Sequence, residues 1–212
     1  DDSCGFLDCL IKLGFNIEIN EKKKEVIIEG TGGRIPDRKA SINVRSAGTA
    51  ARFLTVMLAM AGGDYELTAS PQMCKRPMEP LLSLLEACGV TFEFHGEEGH
   101  FPFALHSSGI HQKEVSIDTK ISSQFASALL MCAAMKKDGL TVILEGDRSE
   151  GAYIKMTLAM MRQFGIEVER EGRKCIVSGN ASFGVPVYEI EPDVSGACYF
   201  YAMAPLLKTS VI

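Results

Sequence analysis

A helix-ending glycine followed by an alternating strand occurs three times in this chain of 212 residues. Gly14, Gly89 and Gly165 each follow an apolar helical stretch, and they lie 75 and 76 residues apart. Glycine ends helices well because it adopts the left-handed cap conformation without a Cβ clash. A shift of 76 residues places residues 47–94 over residues 123–170 without a gap. The spacing predicts one folded unit used several times, each helping to bury its neighbour's apolar face.

Hydrophobic periodicity predicts alternating helices and strands, so that the repeating unit is βαβαββ. The predicted helices are Asp2–Leu13, Thr49–Met60, Met78–Ala87, Ser123–Met135, Tyr153–Phe164 and Ser195–Leu206. The predicted strands are residues 16–20, 25–29, 41–44, 65–68, 90–94, 103–106, 114–118, 141–144, 167–170, 174–178 and 187–190. Residues 125–135 are apolar almost all round, which predicts a buried helix. The fold class is therefore α/β (α+β), with buried helices surrounded by sheets in one globe.

Three of the predicted helices begin with polar residues. Their starts read Arg-Ser-Ala-Gly-Thr at 45–49, Ile-Ser-Ser-Gln at 121–124 and Asp-Val-Ser-Gly at 193–196. A helix N-terminus attracts anions through its free N–H groups and its dipole. Ordinary N-capping explains any single start as well. Three starts in register favour one shared anionic ligand, with the helix N-termini at one end of the globe.

Composition limits the classes of partner. The net charge of −5 argues against nucleic acid and acidic membranes as partners, so any anion site must be local. The seven cysteines include no C-x-x-C pair and the four histidines match no ligand spacing, so we expect no metal and no cofactor. The odd cysteine count, the absence of a signal-like start and the absence of a membrane-length apolar run predict a cytoplasmic protein.

Four ordered segments carry a resemblance to a known family. They are Ser46–Phe53 (SAGTAARF), Met73–Met78 (MCKRPM), residues 121–131 (ISSQFASALLM) and Tyr153–Thr157 (YIKMT). The family has Asn-Ala-Gly-Thr-Ala-Met-Arg-Pro, Met-x-x-Arg-Pro-Ile/Met, Ser-Ser-Gln-Phe-x-x-Ala-Leu-Leu-Met and Pro-Tyr-Ile-x-x-Thr at the same places. The chain thus resembles the 5-enolpyruvylshikimate-3-phosphate synthase family, the enolpyruvyl transferases of the shikimate pathway and the target of glyphosate.

The resemblance implies an organisation in two globes, each of three βαβαββ units. Residues 1–190 would form one substrate-binding globe with an incomplete first unit. Residues 191–212 would be the crossover and first helix of the second globe, whose remainder is absent. The family moves the enolpyruvyl group of phosphoenolpyruvate to the 5-hydroxyl of shikimate 3-phosphate for aromatic amino-acid biosynthesis. Because the missing globe would carry the catalytic lysine, we expect a monomeric half-enzyme that binds shikimate 3-phosphate without turnover.

The resemblance also implies substrate-binding roles for Ser122, Ser123, Gln124, Tyr153, Gly48, Thr49, Arg76 and Ser149. Ser122 and Ser123 would face the phosphate of shikimate 3-phosphate. Gln124 would lie between the two substrates, and it is the one candidate here for a part in catalysis. Tyr153 would offer an aromatic wall or a hydroxyl to the shikimate ring, although an ordinary core tyrosine fits the sequence nearly as well.

The phosphoenolpyruvate side would rest on Arg76, whose guanidinium can meet phosphate or carboxylate oxygens with paired hydrogen bonds. Gly48, beside Thr49, would leave room next to that substrate. Arg52 lies one turn further on, and we expect it to be a structural ion-pair partner rather than a ligand. Ser149 would have to replace the family's third phosphate-site serine, because Glu150 stands at that position.

Two other functions remain open from the sequence. One is the related transferase that acts on UDP-N-acetylglucosamine, although the Ser-Ser-Gln-Phe segment favours the shikimate enzyme. The other is a non-catalytic anion-binding module, because no general acid–base constellation is visible in the chain.

Overall fold

The computed structural model describes residues 2–146, 151–179, 184, 187–190, 193–208 and 210. Its helices are α1 Asp2–Lys12, α2 Gly48–Ala61, α3 Pro71–Cys74, α4 Glu79–Ala87, α5 Ser123–Ala133, α6 Ala152–Gln163 and α7 Val194–Leu207. Its strands are β1 Ile17–Asn20, β2 Glu25–Ile28, β3 Lys39–Asn43, β4 Gly63–Thr68, β5 Thr91–Phe94, β6 Phe103–Ser107, β7 Glu114–Asp118, β8 Leu140–Glu145, β9 Val168–Glu171 and β10 Lys174–Val177.

Two four-stranded sheets have the same topology. One has the strand order β3-β4-β6-β5 and the other β7-β8-β10-β9. In each sheet the first two strands are parallel and the remaining pairs are antiparallel. A helix lies between the two parallel strands in the sequence, as a parallel connection requires. Both of these units are therefore βαβαββ, as the repeat predicts, and α1 and the β1–β2 hairpin precede them in the chain.

The structural repeat departs from the gap-free shift of 76 by one residue in each direction. Gly48 and Ser123, which begin α2 and α5, are 75 residues apart. Gly63 and Leu140, which begin β4 and β8, are 77 residues apart. The segment from the start of the first helix to the start of the second strand is therefore two residues longer in the second unit than in the first.

The core is built on α2 and α5, which pack against each other and against the inner faces of the sheets. Both helices are buried nearly all round, and Leu54 and Leu129 at their centres are fully inaccessible to solvent. The strands alternate: Tyr65 and Leu67 of β4 face inward, whereas Asp64 and Glu66 face solvent. This alternation is typical of a sheet with one covered face.

One predicted strand is wrong, and one short helix was not predicted. Residues 187–190 are described and form no strand, because the described part of the chain offers them no backbone ladder. Tyr188 instead stacks on Phe164, with 4.8 Å between ring centroids. The short helix α3 was not predicted, although Ser70 followed by proline is a typical helix start; the Ser70 hydroxyl accepts from the Met73 N–H at 3.2 Å.

We expect Leu54→Ala and Leu129→Ala to destabilise the chain to a similar extent, because the two side chains occupy comparable buried places in α2 and α5. The loss should be about 2–5 kcal/mol for each, the usual cost of deleting a buried leucine side chain. Urea denaturation followed by circular dichroism measures it. Ile27→Ala, at a 62% exposed position, is the control and should change stability little. A loss at only one leucine would contradict the structural equivalence of the two units.

Candidate functional site

The first turn of α5 presents free donors. Ser122 is its N-cap, with an extended backbone and a side-chain oxygen that accepts from the Gln124 N–H at 3.2 Å. Ser122, Ser123 and Gln124 are all only partly buried, in contrast to the buried residues that follow. The first turn of α5 contains no acidic residue that would neutralise the helix dipole. This helix start is therefore both capped and suited to a further anionic group.

The first turn of α2 is built around Gly48. The preceding residue, Ala47, provides no side-chain cap, and no acidic residue lies in the first turn. A Cβ placed on Gly48 would lie 2.6 Å from Nη1 of Arg76 and 3.0 Å from Nη1 of Arg52. The missing side chain therefore makes room for two guanidinium groups at a helix N-terminus.

Two serines hold the arginine-bearing segment against this helix start. The hydroxyls of Ser46 and Ser70 are hydrogen-bonded at 2.7 Å, and the Ser70 N–H donates to the Arg45 carbonyl at 2.9 Å. Ser70 also caps α3, which leads directly to Arg76. The sulfur of buried Met73 lies 3.5 Å from Arg52 Nη1 and 3.9 Å from Arg76 Nη1. The segments before α2 and after α3 are thus fixed to each other at the arginine pair.

Arg52 is a buried cation with little compensation. Its side chain is only 3% exposed, its Nη1 donates to the Gly48 carbonyl at 3.2 Å, and its Cζ lies 5.9 Å from the Phe125 ring centroid. Its Nε has no hydrogen-bond partner among the described residues. Burial, followed by the charge of Arg76, lowers the pKa of Arg52 to about 10 from 12.5. The expected structural ion pair is therefore wrong: within the described chain the neighbouring charge is another cation.

An open pocket of about 290 Å³ lies where α2, α5 and α6 begin. It is lined by Thr49, Phe53, Ser123, Gln124, Ser127, Met131, Tyr153, Met156, Thr157 and Met160. Hydroxyl and amide groups lie together with an aromatic ring and methionines. The pocket therefore combines hydrogen-bonding groups with apolar walls, as small-molecule sites usually do.

The structure brings together several of the sequence-predicted residues. Thr49, Ser123, Gln124 and Tyr153 line the pocket, and Ser122 caps the helix that supplies two of them. Gly48 and Arg76 form the adjacent arginine site. Ser149 lies outside the described residues. No described residue of α7 lines the pocket, so the expected convergence of three helix starts is limited to α2 and α5, joined by α6.

Sequence reasoning missed part of the pocket lining. Ser127 and Thr157 are hydrogen-bonded through their side-chain oxygens at 2.8 Å, and Phe53, Met131, Met156 and Met160 supply the apolar wall. Ser127 and Thr157 each lie four residues after a predicted site residue, one helical turn further along the same face. That spacing is the signal that could have identified them.

Fold and site together define a protein of βαβαββ repeats with a pocket at the N-termini of its buried helices. The family model of EPSP synthase (3-phosphoshikimate 1-carboxyvinyltransferase) matches residues 1–212, and the chain belongs to this family. Relatives named 3-phosphoshikimate 1-carboxyvinyltransferase include those of Nostoc sp. (34% identical over 205 residues, 96% of this chain) and Marinomonas sp. (36% over 208 residues, 97% of this chain). These matches favour the shikimate branch over the UDP-N-acetylglucosamine branch.

A solved structure of EPSP synthase from Acinetobacter baumannii has a similar fold. It matches with a TM-score of 0.74 and 26% sequence identity, over 95% of this chain and 44% of that chain. The chain also spans only 48% of the Nostoc relative and 49% of the Marinomonas relative. It is therefore about half the length of the relatives it matches. No helix in the described ranges is long and apolar enough to cross a membrane.

We expect Gly48→Ala to leave the fold intact while displacing Arg76. The new methyl group would meet the mobile end of the Arg76 side chain, and alanine stabilises helices by up to about 1 kcal/mol relative to glycine. The unfolding midpoint should be unchanged or higher, whereas affinity for phosphoenolpyruvate as an anion probe should fall about tenfold, comparable to losing one charge-assisted hydrogen bond. Thermal unfolding and calorimetric titration measure the two effects.

Gly5→Ala in α1 is the matched control for this experiment. Its Cβ would also approach an arginine side chain, at 3.3 Å from Arg45 Cδ, but this side chain pairs with Asp8 and not with the residues around Gly48. It should leave anion affinity unchanged. Equal affinity losses in both variants, or none in Gly48→Ala, would show that Gly48 does not govern the position of Arg76.

We expect Arg52→Met to preserve stability or to raise it by about 1 kcal/mol, because it removes a buried, uncompensated charge but keeps the volume. The affinity of Arg52→Met for the same anion probe, phosphoenolpyruvate, should fall even though stability is kept. Arg38→Met is the control, since Arg38 donates to the carbonyls of Ala61 and Gly62 at the C-terminus of α2. That variant should lose stability and keep anion affinity. A large stability loss in Arg52→Met would instead make Arg52 a structural residue.

Proposed function

We propose that this chain is the substrate-binding half of a 3-phosphoshikimate 1-carboxyvinyltransferase. The whole enzyme would transfer the enolpyruvyl group of phosphoenolpyruvate to the 5-hydroxyl of shikimate 3-phosphate. One observation carries the proposal: the N-termini of two buried helices meet at one pocket, next to an arginine pair without a carboxylate partner in the described chain. Both proposed substrates are multiply anionic, so such a site meets their main requirement.

Shikimate 3-phosphate would bind at α5. Its phosphate would accept hydrogen bonds from N–H groups of the first turn and from the hydroxyls of Ser122 and Ser123. The Ser122 oxygen accepts from Gln124 but keeps its own proton for donation. The ring would lie in the pocket beside Tyr153, whose side chain is 67% exposed and thus free to contact a ligand. Donors fixed in advance bind an anion without reorganisation at the moment of binding.

Phosphoenolpyruvate would bind at the start of α2. Arg76 is exposed, and its guanidinium lies against Gly48, so its outer N–H groups can form paired hydrogen bonds with an anion. Buried Arg52, on the same side of Gly48, adds positive potential at this helix start. Charge-assisted hydrogen bonds of this kind contribute about 1.5–3 kcal/mol each. Gln124, which lines the pocket from the neighbouring helix, would contact both substrates.

Proton transfer would come from the other half of the enzyme. The described pocket lining contains hydroxyl, amide, aromatic and thioether groups, which orient substrates but exchange protons poorly near neutral pH. We therefore infer that the chain alone binds without turnover and is a monomer that requires its second globe for catalysis. A cytoplasmic location belongs to the same proposal and rests on the odd number of cysteines, which suits a reducing compartment.

An NMR titration of this chain with shikimate 3-phosphate tests the proposal. We expect saturable shifts of the backbone amides of Ser122, Ser123 and Gln124, and smaller shifts at Gly48. Shikimate without its phosphate is the matched ligand control and should bind much more weakly, because the helix N-terminus recognises the phosphate. Inorganic phosphate should perturb the serine amides but leave Tyr153 unchanged.

Two outcomes would contradict the proposal. Shifts confined to residues outside the pocket would exclude a shikimate 3-phosphate site at α5. Release of inorganic phosphate by this chain alone, with both substrates present, would show that it is catalytic by itself and would overturn the division between the two halves.

A further inference from the structure

Helices α5 and α6 are joined by a hydrogen bond between two hydroxyl groups in the lining of the pocket. The side-chain oxygens of Ser127 and Thr157 are 2.8 Å apart, and Thr157 Oγ1 donates to the carbonyl of Tyr153 at 2.9 Å. A hydroxyl has one proton to donate, so Thr157 accepts in the first bond and Ser127 is its donor. A continuous chain of hydrogen bonds therefore runs from α5 through Thr157 to the backbone of Tyr153.

Ser127 is a polar residue in a buried, apolar part of α5. Ser127 is only 5% exposed, and its neighbours Phe125, Ala126 and Ala128 are completely buried. A buried hydroxyl lowers stability unless it is hydrogen-bonded, and an alanine or leucine would satisfy an ordinary core position. The bond across to α6 is what compensates Ser127.

The remaining contact surface between these helices at the pocket is adaptable. Met131 faces the pocket from α5, and Met156 and Met160 face it from α6. Methionine side chains fit many surfaces and define a helix register poorly. The first turn of α6 also has no side-chain cap, because its N-cap residue is Gly151. Among the hydrogen bonds of the described residues, the hydroxyl pair is thus the one that joins a side chain of α5 to a side chain of α6.

The position of the pair connects it to the candidate site. Ser127 lies one turn after Ser123 and Gln124, while Thr157 lies one turn after Tyr153. A movement of α6 along or away from α5 would therefore change the separation between Tyr153 and Gln124, which line the pocket from α6 and α5 respectively.

We propose that Ser127 and Thr157 form a positioning pair that sets the width of the pocket for the ring of the substrate. This inference rests on the proposed function only for the identity of the ligand. It assigns neither residue a direct part in the chemistry, because both act through the placement of Tyr153.

The test compares Thr157→Val, which keeps the shape and removes the hydroxyl, with Thr157→Ser, which keeps the hydroxyl. Thr157→Val should lower the affinity for shikimate 3-phosphate about fivefold, an effect of the size of one hydrogen bond, and Thr157→Ser by less than about twofold. Affinity for inorganic phosphate should be unchanged in both, because the α5 N-terminus is intact.

Thr55→Val is the matched control. Thr55 is fully buried in α2 and donates to the Ala51 carbonyl at 2.6 Å, the same bond within its helix that Thr157 makes in α6. This variant should lose less stability than Thr157→Val, which also leaves buried Ser127 without its acceptor, and it should keep its affinity for shikimate 3-phosphate. Equal affinity losses in Thr55→Val and Thr157→Val would overturn the positioning role.

A measurement without ligand separates this proposal from the proposed function. In the free protein, Ser127→Ala should shift the amide of Tyr153 on the opposite helix, and Thr157→Val should shift that of Gln124. Unchanged amides across the helix pair would overturn the inference even if shikimate 3-phosphate binds. If the unmodified chain binds no shikimate 3-phosphate, the proposed function fails, while the cross-helix shifts still decide the role of the pair.

Discussion

The packing of α2 against α5 is the interaction on which the rest of the molecule depends. Both helices are apolar almost all round, so neither is stable at a surface, and each follows the first strand of its own sheet. Burying them together brings two βαβαββ units into one core. It also places their N-termini side by side, because equivalent helices of a repeat begin at equivalent places. The pocket between Thr49 and Ser123 is thus a direct consequence of the repeat.

The arginine site shows what such an arrangement costs. A cation as deeply buried as Arg52 is destabilising unless it is paired, and the nearest charge in the described chain is that of Arg76. The Gly48 carbonyl, the Met73 sulfur and the Phe125 ring compensate it only in part. A fold selected for stability alone would place an apolar side chain there. The retained charge is physically reasonable if an anion completes the site.

Much of the fold could be predicted from sequence because local signals and burial agree. The glycines at 14, 89 and 165 marked helix ends, and six of the seven described helices were placed within a few residues. Residues 187–190 (VYEI) have the composition of a strand, but composition alone cannot supply a pairing partner. The four-residue α3 is too short for a periodicity signal, and only its Ser-Pro start could have revealed it.

The site was less predictable, for a physical reason. Residues at helix starts, such as Ser122 and Ser123, can be predicted because they directly precede an apolar helical stretch in the sequence. The proximity of Arg52 to Arg76 depends on how α3 folds back on α2, which spacing along the chain does not encode. The expectation of an ion pair for Arg52 rested on its place one turn into the helix, which does not reveal which charges lie nearby. Gly48 was linked to ligand space by resemblance, whereas in the structure two guanidinium groups fill that space.

The same geometry suits the proposed division of substrate binding and chemistry between two halves of one protein. Helix N-termini, hydroxyls and guanidinium groups are permanent donors that a rigid core can hold in place. Proton-transfer groups need a pKa near the working pH, and a site already rich in positive charge lowers the pKa of a nearby lysine. Placing acid–base groups on a separate globe would let them approach the substrates only after the anions have neutralised this charge. A chain that spans about half of its relatives and carries the donors, but not such groups in its described pocket lining, fits that division.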